Sequence, residues 1–255
     1  MHNRNRDVII LHYFIQYIRI VSQFSSAAVL AQHLKCEQKG MQAEMKNPSE
    51  ISKNVIRRMP RYLRRLDELA DAGVERISSG ELGTQMGLTP SQIRQDFSCF
   101  GEFGQQGYGY NVGALRMQIA QILGLDRSYS VILIGAGRIG QSLIENFNFS
   151  HYGFRLLGAF EIRKELVGKE IAGITIADAE TQADFIREHN VDIAILSINR
   201  DHAQMIADEL IGMGIKAIWN FTDAEVDPGD SGVVIENIHF SDSLLSLSYY
   251  LSRKG

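Results

Sequence analysis

Residues 130–140 constrain this chain more than any other stretch. Ser130-Val131-Ile132-Leu133-Ile134 is a short apolar run with the composition of a buried parallel strand. It leads directly into Gly135-Ala136-Gly137-Arg138-Ile139-Gly140, and a helical pattern carrying Leu143, Ile144 and Phe147 follows. Each glycine in G-x-G-x-x-G has its own reason: Gly135 for a tight turn, Gly137 for backbone approach to a pyrophosphate, Gly140 for close helix–sheet packing. The pyrophosphate would lie on the helix N-terminus, where free N–H groups and the dipole favour anions. A second strand, 154–160, ends at Glu161, 21 residues beyond Gly140. An acid there accepts ribose hydroxyls and favours NAD(H). Arg163 and Lys164 follow closely and could meet a 2′-phosphate, so the phosphorylated dinucleotide stays open. The candidate cofactor contacts are Gly135, Ala136, Gly137, Arg138, Ile139, Gly140 and Glu161.

Beyond the fingerprint the pattern alternates. Strands are expected at 191–196, 215–221 and 233–235, and an amphipathic helix at 201–213. Such alternation implies an α/β fold with a doubly wound parallel sheet. A last helix, 241–251, carries Leu244, Leu245, Leu247, Tyr249, Tyr250 and Leu251 and is too apolar to stand free. Its own domain and a partner subunit are both open as its cover. A dehydrogenase needs a proton donor or acceptor beside the nicotinamide. His151, His189, His202 and His239 follow the fingerprint, but no stretch is left for a substrate domain. No catalytic residue is assigned, and the nucleotide reads as an effector. The alternative is an oxidoreductase with a helical appendage.

Upstream, Val55, Met59, Tyr62, Leu63, Leu66, Leu69 and Ala70 form one helical apolar stripe, with Pro60 inside it and Gly73 as its stop. Pro60 either kinks this helix or begins a new one. A short helix capped by Ser79 runs to Met86, Gly87 ends it, and Thr89-Pro90 opens another helix, 91–100, with Ile93, Phe97 and Phe100 on one face. Two short helices about a tight turn make a helix-turn-helix. Ser91, Gln92, Arg94, Gln95 and Ser98 lie on its other faces and suit base edges and phosphates. Residues 101–110 alternate glycines with aromatics and amides, a small β-hairpin or wing that offers Gln105 and Gln106.

Charge divides with these parts. The chain of 255 residues carries a formal net charge of −4, which by itself argues against a nucleic-acid partner. Lys53, Arg57, Arg58, Arg61, Arg64 and Arg65 nevertheless occur with no acid among them, whereas 131–255 holds 10 basic and 18 acidic residues. The halves therefore suit different partners, with Arg58 and Arg61 as duplex contacts. Cys36 and Cys99 make no disulfide framework or metal quartet, so a reducing cytoplasm, no metal and no membrane are expected. Residues 8–21 are apolar-rich but interrupted by His12, Gln16 and Arg19, a poor signal-peptide core and too short to span a bilayer. Residues 1–45 are either an N-terminal extension or lie upstream of a native start at Met41 or Met45.

Several stretches agree, in order, with one family. Arg61-Tyr62-Leu63, Ile77-Ser78-Ser79, Gly101-Glu102-Phe103-Gly104, Gly107 to Val112, Ile122-Leu123-Gly124-Leu125, Asn220-Phe221 and Tyr249-Tyr250-Leu251 resemble the Rex redox-sensing transcriptional repressors over 46–252. The resemblance implies a homodimer with a swapped C-terminal helix, bound to a palindromic double-stranded DNA operator and displaced when NADH binds. It implies that Arg64 meets the partner's nucleotide domain, that Tyr110 lies near the nicotinamide, and that Phe240 enters the partner's pocket. His239 stands where the family usually has an acid facing Arg64. Gln95, Gln105 and Gln106 replace basic residues, and Asn199 and Asp223 replace prolines. A paralogue that binds DNA but senses NADH poorly is therefore a further reading. The expected division is extension 1–45, winged helix 46–112, linker helix 113–129, Rossmann domain 130–240 and dimerisation helix 241–255.

Overall fold

The computed structural model describes residues 51–101, 103 and 108–253, in two compact units that meet between Leu123 and Gly124. In the first unit, α1 (Lys53–Asp71) begins at Ser52, whose side chain accepts from the Asn54 N–H. It runs unbroken past Pro60, so that proline starts no new helix. Val55, Met59, Tyr62, Leu63, Leu66 and Leu69 are buried along it, on both sides of the proline, while Ala70 is exposed and lies off the stripe. This packing outweighs the missing hydrogen bond.

Helix α2 (Ser79–Met86) is capped one residue earlier than expected. The Ser78 hydroxyl accepts from the Glu81 N–H while the Glu81 carboxylate accepts from the Ser78 N–H, a reciprocal box. Gly87, in the left-handed region, ends α2. Thr89 caps α3 (Pro90–Ser98) by accepting from the Gln92 N–H. β1 (Arg76–Ile77) joins β2 (Tyr110–Asn111) in an antiparallel ladder, and the centre of the expected wing, residues 102 and 104–107, lies outside the described residues. Gln105 and Gln106 lie outside the described residues. The stretch expected as a linker helix is helical as α4 (Val112–Ile122), which packs on α1 and is tied to it by the Arg116–Asp67 ion pair.

The second unit holds a seven-stranded sheet in the order β5-β6-β4-β3-β7-β8-β9. Its strands are β3 (Tyr129–Ile134), β4 (Phe154–Glu161), β5 (Glu170–Ile171), β6 (Ile174–Asp178), β7 (Ile193–Leu196), β8 (Ala217–Asn220) and β9 (Val234–Asn237). All pairs are parallel, as the alternation implied, except the edge pair β5 with β6. Strands alternate side chains between faces. Val131 and Leu133 meet α5 (Arg138–Asn146) on one face, while Ile132 and Ile134 share a core with α6 (Gln182–His189) and α7 (Ala203–Gly212) on the other. The order reverses between β4 and β7 on either side of β3, which opens a crevice at their carboxyl ends.

Helix α8 (Phe240–Ser252) has no buried residue, so nothing among the described residues covers it. On the sheet face shared with α5, Phe147, Phe149, Ile193, Trp219 and Val234 line an apolar groove of about 240 Å³. No helix among the described residues is long and apolar enough to cross a membrane.

Candidate dinucleotide site and nucleic-acid interface

The glycine turn sits at the head of the crevice. Gly135 adopts φ +93°, and a Cβ there would lie 2.6 Å from the Ser197 carbonyl oxygen, so only glycine fits. A Cβ on Gly140 would overlap the Gly135 carbonyl and lie 2.9 Å from Ser197 Oγ. The Gly135 N–H donates to the Phe160 carbonyl at 2.8 Å, and the Ser197 hydroxyl donates to the Gly135 carbonyl at 2.6 Å. Ser197 therefore braces the turn from the end of β7, a role that spacing within the motif could not reveal. Gln141 holds the other side by donating to the Ala136 carbonyl. Gly137 caps α5 without a side-chain acceptor, and Arg138 and Ile139 are exposed beside it. The first N–H groups of α5 thus suit a phosphate, and the turn fits a dinucleotide.

Glu161 lies at the end of β4 and is 6% exposed. Burial acts to raise its pKa, yet hydrogen bonds from the Arg163 guanidinium (3.0 Å), the Arg163 N–H and the Ile162 N–H hold it below the usual carboxylate range. The acid is ionised and aimed, with Arg163 as its companion. Lys164 is paired with Asp178. Across the crevice, buried Asn220 donates to the Ala224 carbonyl and to Asn237 and accepts from the Thr222 N–H and hydroxyl, fixing the loop after β8. His202 is exposed in the turn after β7.

His239, at the start of α8, faces acids of its own chain. Its Nε2 lies 2.8 Å from Glu225 Oε2 and its Nδ1 lies 3.8 Å from Asp223 Oδ1. The Glu225 hydrogen bond, with Asp242 and Asp223 nearby, raises its pKa. Arg200 also approaches Asp223, at 3.8 Å. Phe240 is 62% exposed, with its ring 6.3 Å from Phe221.

In the first unit, α3 shows Ser91, Arg94, Gln95 and Ser98 to solvent, and Gln92 is half-buried. Arg94 donates to the hydroxyls of Ser79 and Ser91, joining the starts of α2 and α3. Ser98 turns back to the Gln95 carbonyl. Arg61 and Arg64 are exposed on α1, and the Arg61 guanidinium reaches the Met86 carbonyl.

Two of the expected contacts are engaged inside the first unit. The Arg58 guanidinium, expected at the duplex, grips Asp96 at 2.6 Å through both Nε and Nη2. Tyr110 is a core residue of the first unit, 8% exposed, its ring edge-on to Phe97. The reason is the ladder register, which pairs inward Tyr110 with Ile77 and outward Asn111 with Arg76.

The chain matches two family profiles: one described as "Putative DNA-binding protein N-terminus" over residues 50–98, and one described as "CoA binding domain" over 126–224. It is 49% identical over 210 residues to the redox-sensing transcriptional repressor Rex of Thermoanaerobacter pseudethanolicus, covering 82% of this chain and 93% of that protein. The same-named repressor of Clostridium beijerinckii is 47% identical over 208 residues, covering 82% and 98%. Among solved structures, RSP in complex with β-NAD+ and operator DNA is 50% identical with a TM-score of 0.75, covering 80% of this chain and 94% of that one. RSP in complex with β-NADH matches at 46% identity and the same TM-score, covering 80% and 96%. A helix-turn-helix unit followed by a dinucleotide crevice, with this identity across both, places the chain in the Rex family of redox-sensing transcriptional repressors.

Proposed function

We propose that this chain acts as a homodimer in the cytoplasm, bound to a palindromic operator and displaced when NADH fills the crevice behind Gly135–Gly140. The observation that carries the reading is a dinucleotide turn, closed to any side chain at Gly135 and Gly140, in one chain with a capped helix-turn-helix. The nucleotide serves as an effector and not as a substrate, in keeping with relatives that are repressors and not enzymes. Residues up to Leu123 read DNA through α3, with Ser91, Gln92, Arg94, Gln95 and Ser98 toward the groove and Arg61 on the backbone. Residues from Gly124 hold the dinucleotide, with Glu161 on the ribose. Exposed Phe240 and α8 suit a partner subunit, and Arg64 the contact between subunits.

NADH acts only through differential affinity: a hundredfold preference for the DNA-free state shifts the balance by about 2.7 kcal/mol. Operator binding measured with NADH, NAD+ and coenzyme A tests the reading. Release by NADH alone supports it, and equal affinity in all three contradicts it. A second reading, a relative that binds DNA with little response to NADH, is favoured by one observation. His239 is engaged with Glu225 and Asp223 of its own chain, which replaces the acid expected to meet Arg64.

A further inference from the structure

Helix α3 carries one charged side chain on its inward face. Asp96 is 2% exposed and flanked by the buried Ile93 and Phe97. Both its oxygens are satisfied by α1: Oδ2 accepts from Arg58 Nε at 2.6 Å and from the Tyr62 hydroxyl at 2.8 Å, and Oδ1 accepts from Arg58 Nη2 at 2.6 Å. Arg58 and Tyr62 are four apart on α1 and so share one face. Its hydrogen bond to Asp96 raises the Arg58 pKa, and burial, followed by its own hydrogen bond to Asp96, raises the Tyr62 pKa, so the guanidinium stays charged and the phenol stays protonated. The pair borders a groove of about 580 Å³ that also meets Asn54, Ser91, Gln92 and Gln95, four side chains on the solvent side of the two helices.

Stability is a weak account of such a carboxylate, even with Arg58 20% exposed. An apolar trio of similar volume in a buried ion pair's place is often as stable or more so. The trio supplies direction instead. Packing by Ile93 and Phe97 is less directional than a hydrogen bond, so it sets the roll of α3 on α1 less sharply. A two-pronged guanidinium–carboxylate contact with a third bond from a rigid phenol fixes both motions. Successive helical residues are 100° apart, so a small roll moves Ser91, Arg94 and Gln95 off any base edge they address.

We propose that Asp96, acting through Arg58 and Tyr62, is the positioning residue that sets operator specificity by locking α3 in one rotational setting on α1. The inference rests on α3 being the recognition helix.

The test uses the full-length protein and a duplex that the wild type selects from a randomised pool. Affinity for that duplex and for a scrambled one is measured at one salt concentration, with melting temperature and NADH binding alongside. For Asp96→Asn we expect unchanged NADH binding, scrambled-duplex affinity within about twofold, and selected-duplex affinity lower by about tenfold or more. The triple variant Arg58→Met, Tyr62→Phe, Asp96→Leu separates positioning from stability. It should melt at or above the wild-type temperature and still lose discrimination. A folded triple variant with wild-type discrimination overturns the proposal, as does an Asp96→Asn protein that loses both affinities equally. Should either fail to fold, Tyr62→Phe and Arg58→Lys decide it: each should discriminate less than wild type, and unchanged ratios in both overturn it. A wild type that selects no duplex defeats the reading of α3 itself, a result distinct from failure of the Asp96 proposal.

Discussion

At the residue scale, Gly140 is closed to any side chain, because its missing Cβ is what lets α5 approach the Gly135 carbonyl and Ser197. Gly140→Ala must push that turn aside at about 1–3 kcal/mol, as for other overpacked sites. Thermal unfolding should show the loss, and NADH binding by fluorescence should weaken about tenfold or more; wild-type binding would contradict the role given to the turn. His239 gives a pH signature. Its folded pKa is raised by Glu225, so its contribution is full below the unfolded value of about 6.5 and fades as pH rises through the folded value. His239→Gln should therefore lower the melting temperature near about pH 5.5 and converge with wild type above about pH 8. An equal deficit at both pH values would count against the His239–Glu225 contact. Gly135 and Gly140 were legible because turn and packing each demand glycine at fixed spacing, and Glu161 was legible as the acid that ends β4. Ser197 and the Arg58–Asp96 pair were not: the partners lie 62 and 38 residues apart, and side-chain type alone does not announce a distant partner.

At the element scale, side-chain caps mark the starts of α1 to α4. Thr89 accepts from the Gln92 N–H at the start of α3, and Thr89→Ala should cost about 1 kcal/mol in denaturant unfolding. A change below a few tenths would mean that the cap is not formed. Elements with strong end signals were readable: Thr89-Pro90 opened α3 and Gly87 closed α2. The strands β5 and β6 and the helix α6 were missed. Glu170–Ile171 is two residues long, and residues 174–189 mix polar and apolar positions without a clean period. The β1–β2 ladder was missed for another reason, since α2 and α3 lie between its two-residue strands in the sequence. Helix α8 carries the oligomeric prediction. Burying a leucine is worth about 1.5–3 kcal/mol, so exposed Leu244 and Leu247 together give a partner ample reason to cover them. The double change Leu244→Asp, Leu247→Asp should yield monomers in sedimentation and abolish high-affinity operator binding, and a surviving dimer would place the interface elsewhere.

At the scale of the whole molecule, net charge misleads because it averages two unlike units. The basic residues of α1 belong to the part that reads DNA, and the acidic excess of residues 131–255 belongs to the part that holds the nucleotide. Arg61→Ala should weaken selected and scrambled duplexes alike and lower the log–log salt slope by about one, whereas a change confined to the selected duplex would make Arg61 a base reader. The fold class followed from residues 130–161, since a strand, a glycine turn, a helix and an acid at that spacing leave few alternatives. Coupling between the two units is the central matter, and one measurement addresses it most directly: operator affinity of the full-length protein across a series of NADH to NAD+ ratios at constant total nucleotide. A repressor that senses redox state should let go of its operator as the NADH fraction rises, with affinity falling about a hundredfold between the two ends. Affinity that stays level across the series, while both nucleotides are shown to bind, would contradict it.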